Sequence, residues 1–205
     1  DDKAQATELA RNQESLTAFL HRQALALRLD DTDRAALRFL IESLNEDGYL
    51  EDSLEALAES LAGDDLEQLE ELVHRFQMAL GLLQSLEPTG VGARDLSECL
   101  KLQLLAMAAD TPERAAVRDC ALAICQQPLE LLAKRDVKRL VMALGVGETE
   151  VKLGMALIAR LEPKPGRRFV DVERHVIVPD VQVLPHGVDR QGLPQFRAVL
   201  NPEVM

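Results

Sequence analysis

Aromatic residues are nearly missing from this 205-residue chain: it has no Trp, one Tyr and five Phe, so aromatics make up 3% of a sequence that is 47% hydrophobic. Leu, Ala and Val must therefore fill the interior, a mix that favours helices packed on helices. Long apolar runs are also missing, and no stretch approaches the ~20 residues that a membrane span requires. Cysteine is sparse. Cys99, Cys120 and Cys125 lie inside helical patterns without CxxC spacing, and they read as small core residues of a reducing cytosol. The start at Asp1 and the abrupt "LNPEVM" end read as a piece of something longer.

Positive charge is short too. The formal net charge is -12, and residues 41–75 hold twelve Asp or Glu against one Arg, which argues against free DNA or an anionic membrane as the partner of that half. These carboxylates read as solvated helix faces, with a dedicated acidic docking patch as the alternative. Residues 164–197 lean the other way, with six Arg or Lys against four acids.

Recognisable catalytic machinery is lacking. His21, His74, His175 and His186 are dispersed, with no HExxH, nucleophile elbow or Walker-type loop. The glycines of "TGVGARD" precede a helix start, but no Lys-Ser/Thr follows and no strand precedes, so a structural turn is the better reading than a phosphate cradle. No cofactor or metal is expected, and the chain does not read as an enzyme.

What is present is helical periodicity. Leu16, Phe19, Leu20, Gln23 or Ala24, and Leu27 share one face, and Leu37, Leu40, Ile41 and Leu44 line a second helix that "NEDGYL" ends. Asp52 with Glu55 has capping-box spacing for a short helix over 53–61, closed by Gly63. Asp64 and Glu67 repeat that signature before a long helix marked by Leu66, Leu69, Val73, Phe76, Leu80 and Leu83. Pro88 must stop it, because proline has no donor and pushes Glu87 out of the helical region. "TGVGARD" then supplies a tight connection with exposed backbone, and Asp95 with Glu98 caps the next helix. Thr111 and Pro112 restart the chain.

The second half echoes the first. "RAALRFLIESL" at 34–44 matches "RAAVRDCALAI" at 114–124, and 53–61 matches 136–144. Both halves end in Leu-Glu-Pro, at 86–88 and 161–163. Each stop thus closes a corresponding helix of a duplicated unit, the second shorter by about two turns at ~3.6 residues per turn. After Gly166, "VIVPDVQVL" and "QFRAVLNP" alternate around "PHGVDRQGLP" and predict a hairpin, with Pro179 confined to an edge or bend. The expected fold is all-α: two related helical bundles of helix-turn-helix-like units with a short C-terminal β-hairpin. Its parts are a flexible segment 1–13, helical subdomains 14–109 and 110–166, and an extended segment with the hairpin at 167–205.

Segments 53–73 and 136–158 raise helix-turn-helix DNA binding as the alternative. A recognition helix needs Arg, Lys, Asn or Gln near its N-terminal end to reach bases and phosphates, whereas the second helices here begin "DDLEQLEELV" and "GETEVKLGMA", led by acidic residues. Plain helical hairpins fit better. The connections after the two Leu-Glu-Pro stops are the stronger surfaces: Gly90, Gly92, Arg94 and Asp95 in the first, Lys164, Arg167 and Arg168 in the second. Arginines on rigid turns anchor protein partners, and the same turns serve equally as well-formed loops with solvated charge.

Six ordered blocks carry a resemblance: "LTAFLHRQ", "DTDRAALRFLIESLNEDGYL", "LEPTGVGARDLSECLKLQL", "LELLAKRDVKRL", "LEPKPGRRF" and "VIVPDVQV" with "RAVLNPE". Over about 14–205 they resemble the core-binding region of the bacterial sigma-54 family. The resemblance implies a cytoplasmic transcription-initiation subunit that binds core RNA polymerase. It also implies a closed promoter complex that waits for an ATP-hydrolysing activator. Promoter DNA and that activator are implied as partners through regions absent from this chain.

Overall fold

The computed structural model describes residues 2–5 and 14–170, and the backbone of 185–188 and 194–196. Helices dominate the described residues, and the chain is all-α in class. It divides into a unit of residues 20–166 and a second unit of residues 1–19 with 167–205.

The helices are α1 (Leu16–Leu25), α2 (Asp31–Glu42), α3 (Leu54–Ala62), α4 (Leu66–Leu83) and α5 (Leu96–Ala106). After them come α6 (Pro112–Cys125), α7 (Leu129–Ala133), α8 (Val137–Leu144) and α9 (Glu148–Ala159). Their starts follow local chemistry. Asp30, Ser53, Asp65, Asp95, Thr111 and Asp136 each accept from a backbone N–H three residues on, which satisfies one of the orphan donors of the first turn. Two of these caps sit one residue later than the spacing predicts, at Ser53 and Asp65 instead of Asp52 and Asp64. Thr111 and Asp95 are where they are expected.

In the unit 20–166, α4 packs on α2 and α3, burying Leu37, Leu40, Ile41, Leu57, Phe76 and Leu83. The rings of Phe39 and Phe76 stack at 5.4 Å. The first residue of the long α4 stripe is not covered, Leu66 being 73% exposed, and Leu69 and Val73 are half-buried. A further cluster joins Leu100 and Leu104 of α5 to Cys120, Ile124, Leu140, Val151 and Ile158. Here α6 and α9 approach closely because Gly154 faces α6. A Cβ on it would meet Ile124 Cδ1 at 2.9 Å. Burial pushes the Cys99 and Cys120 thiols up and the Cys125 thiol up to about 11, as desolvation of a thiolate requires.

In the other unit, Phe19 and Phe169 lie 5.6 Å apart, and the Arg168 guanidinium sits 4.8 Å from the Phe169 ring and 5.8 Å from that of Phe19. Arg167–Phe169 form a turn of 3-10 helix. The expected hairpin is not borne out. Residues 176–184 and 197–202 lie outside the described residues, as do 1 and 6–13 of the N-terminal segment. The pairing that is described joins Pro185–Val188 to Pro194–Phe196, largely inside the stretch assigned to the turn. Prolines open both short segments and donate nothing to a ladder. Among the described residues no helix is long and apolar enough to cross a membrane.

Candidate functional site

The turn after α2 is built by Asn45. Its Oδ1 accepts from the Asp47 and Tyr49 N–H groups, both at 3.0 Å, and its own N–H donates to the Tyr49 carbonyl at 2.9 Å. An Asn that hydrogen-bonds its own loop in this way replaces a stretch of regular structure. The fold leaves the Asp47 and Gly48 carbonyls free for other segments.

Both connections that follow the Leu-Glu-Pro stops seat on this loop. From the first, Gly92 N–H donates to Gly48 O at 2.9 Å, and Leu50 N–H donates to Ala93 O at 2.9 Å. From the second, Gly166 N–H donates to Asp47 O at 2.9 Å, the Tyr49 hydroxyl donates to Pro163 O at 2.5 Å, and Lys164 Nζ lies 3.7 Å from Asp47 Oδ2. Burial, with the Cys99 thiol beside it, drives the Tyr49 phenol well above its ordinary range, so it remains a donor at any physiological pH. Gly166 has no room for a side chain, because a Cβ there would overlap Glu46 O and lie 2.8 Å from Gly48 N.

Each stop is held by a glutamine from an earlier helix. Gln23 of α1 donates to Glu87 O at 2.6 Å and accepts from Glu87 N–H at 2.8 Å. Gln103 of α5 does the same for Glu162, at 2.7 and 2.9 Å. The first connection reaches Gln103 at Gly90, whose left-handed backbone (φ +101) brings it under α5. A Cβ there would stand 2.9 Å from both Cys99 Sγ and Gln103 Nε2.

The site residues expected from the sequence therefore separate. Gly90 and Gly92 are buried, as are Val91 and Ala93. The exposed backbone expected of this connection is not found at 90–93, where Gly92 and Ala93 are paired to the 48–50 turn and Gly90 lies against α5. Arg94 and Asp95 are exposed. Arg94 donates through Nε and Nη2 to the Glu98 carboxylate at 3.1 and 2.6 Å and through its backbone N–H at 2.9 Å. Those bonds hold the Glu98 carboxyl below its ordinary range. Lys164 is half-buried beside Asp47 in the unit 20–166, and Arg167 and Arg168 are exposed in the other unit. Sequence reasoning missed Asn45, Tyr49, Gln23 and Gln103 as organisers of these turns. The available signal was a glutamine in an apolar stripe on both α1 and α5.

Over residues 5–205 the chain matches the family described as sigma-54 factor, core binding domain. The chain belongs to the sigma-54 factor family. It is 37% identical to an RNA polymerase sigma-54 factor of Pseudomonas aeruginosa, covering 100% of this chain and 38% of the relative. It is 35% identical to that of Azotobacter vinelandii, over 92% of this chain and 37% of the relative. With the Salmonella typhimurium factor it shares 33% identity over 85% of this chain and 35% of the relative. The chain thus spans a little over a third of the length of these sigma-54 relatives. As a sigma-54 core-binding domain, it is not favoured as a helix-turn-helix reader of DNA. The first turns of α4 and α9 carry Glu67, and Glu148 with Glu150, where such a reader needs donors.

Proposed function

We propose that this chain is the part of a sigma-54-type transcription initiation factor that docks on core RNA polymerase. Its match to the core-binding domain of that family over nearly its whole length carries the reading. The geometry supports it: two connections far apart in sequence rest on one loop at 45–50, so Arg94 and Lys164 are offered from a braced scaffold. Arg167 and Arg168 add exposed cations just after the second stop. Pre-ordered turns bind with less loss of conformational freedom than flexible ones. The role is attachment, without chemistry of its own, in the bacterial cytoplasm. Promoter DNA and an ATP-hydrolysing activator are partners of the complete factor through other regions.

We also read the chain as a duplication. One copy runs from α1 to Pro88 and the other from α5 to Pro163, each with a glutamine of its first helix clasping its own terminal Leu-Glu-Pro. On this reading the seam lies near Asp95, where the sequence alone suggests 109/110. Leu100 and Leu104 of α5 lie in one cluster with α6, α8 and α9, which supports the earlier seam.

The test is an anisotropy titration of the labelled chain with purified core RNA polymerase at two salt concentrations, beside a variant carrying alanine at Arg94, Arg167 and Arg168. The expected result is saturable binding that the variant weakens about tenfold or more. Absence of binding by the folded chain would overturn the docking reading, and intact binding by the variant would move the interface to other residues.

A further inference from the structure

Between α7, α8 and α9 lies an apolar groove of about 540 Å³, floored by Leu132, Val137, Met155, Ala156, Ile158 and Ala159 and rimmed by Arg135 and Lys152. Nothing in the polymerase reading uses it. The turn that leads into α8 is basic: residues 134–139 hold Lys134, Arg135, Lys138 and Arg139 against Asp136 alone, and of these cations Arg135 lines the groove. Asp136 is already engaged as the cap of α8, and Lys152 pairs with Glu148 at 2.9 Å across a solvent-exposed turn.

Arg135 is the informative residue. Among the described residues it is the one non-glycine with positive φ, at +52. It follows α7 in a closing motif, with Arg135 N–H donating to Leu132 O at 3.1 Å and Asp136 N–H to Leu131 O at 2.9 Å. That position is ordinarily glycine, because a Cβ is strained there. The next helix, α8, does end on a left-handed glycine, Gly145. An exposed guanidinium is thus kept at the edge of an apolar groove although the backbone would be more relaxed without a side chain. Strain of this kind is retained where a side chain has a use.

We propose that this groove is a docking site for an acidic amphipathic helix of a partner protein, whose aliphatic residues enter between α8 and α9 while its carboxylates meet Arg135 and Lys152. The apolar floor calls for anchors at helical spacing, and the cationic rim selects carboxylates. A single-stranded nucleic acid fits less well, because no aromatic side chain lines the groove for bases to stack on. A second copy of this chain is disfavoured by the net charge of -12 on each molecule. The inference does not rest on polymerase binding.

The experiment titrates the full 205-residue chain into a labelled peptide of about four helical turns, with Leu at positions i, i+3, i+4 and i+7 and Glu on the other face. A peptide with Lys in place of Glu and an oligothymidylate are run beside it. The variants are Arg135→Gly, which relieves the backbone, and Ala156→Glu, which sets a carboxylate in the groove at an exposed position. Saturable binding of the acidic peptide alone is expected, weakened about tenfold or more by both variants, while Arg135→Gly melts no lower than the parent. No saturation by about 1 mM, equal binding of the basic peptide, tighter binding of the oligonucleotide, or indifference to both variants would each overturn the proposal. Self-association abolished by the same variants would overturn it in favour of a second copy.

Discussion

Gln103 and Glu162 are joined at both ends of one amide: the side-chain NH2 donates to the Glu162 carbonyl at 2.7 Å and the side-chain oxygen accepts from its N–H at 2.9 Å. The connection beyond α9, which ends at Ala159, leaves the backbone groups of Glu162 without helical partners, and one glutamine supplies both a donor and an acceptor. Gln23 performs the same exchange with Glu87.

Removing the amide should therefore expose its role. Gln103→Ala leaves a backbone donor and acceptor of Glu162 to partial hydration, and a loss of about 1–2 kcal/mol is expected. For a chain of this size that corresponds to roughly 2–8 °C in Tm. Gln103→Glu keeps the acceptor but sets a carboxylate against the Glu162 carbonyl, so it should cost at least as much at pH 7. Thermal melts of the two variants and the parent decide the matter.

Gly166→Ala should loosen the second connection from the loop that carries it. The new methyl collides with backbone at Glu46 and Gly48, and neither neighbour is the yielding end of a long side chain. A cost of about 1–3 kcal/mol is expected. Amide hydrogen exchange should speed up at Gly48 and Leu50 well before the α6–α9 core responds. Unchanged exchange at both would show that the loop does not depend on this contact.

The Glu98 carboxylate has a depressed pKa in the folded chain, chiefly through its hydrogen bonds with Arg94. A depressed carboxylate contributes stability that is fully present above the unfolded pKa and is lost as pH falls through the folded one. The loss should therefore begin below the ordinary value of 4.5. Urea midpoints of the parent and Glu98→Gln should differ at pH 7 and converge as pH drops below that value. A difference that persists in acid would point to packing instead of charge.

The thiols of Cys99, Cys120 and Cys125 are buried, and burial raises all three pKa values, that of Cys125 to about 11. The thiolate is the reactive form. At pH 8 a disulfide reagent should modify the native chain at least about 100-fold more slowly than the urea-unfolded chain, in which all three react. Rapid native labelling would mean that α5 and α6 open readily. The check is the absorbance of the released reagent.

Local chemistry made much of this fold legible. The caps at Asp95 and Thr111 and the stripe of α4 depend on residues within a few positions of one another, so spacing predicts them, whereas α4 ends at Leu83, five residues before the Pro88 expected to stop it. Ser53 and Asp65 took the caps expected at Asp52 and Asp64 because neighbouring residues of similar chemistry compete for the same N–H groups. Gln23 and Gln103 stand among the apolar residues of α1 and α5. Their partners lie 64 and 59 residues away and are backbone groups, which leave no trace in side-chain periodicity.

The likeness of the halves, the Leu-Glu-Pro stops and the family of this chain were decided by the sequence itself, because they reside in the order and spacing of residues. Tertiary structure alone decided that both connections would converge on Asp47 and Gly48. It also buried Gly90 and Gly92 while leaving Arg94 in solvent, and it set a strained arginine beside an apolar groove. The physical reason is that backbone carbonyls are identical in every residue. Which of them remain unpaired, and which distant donor reaches them, depends on how the helices pack.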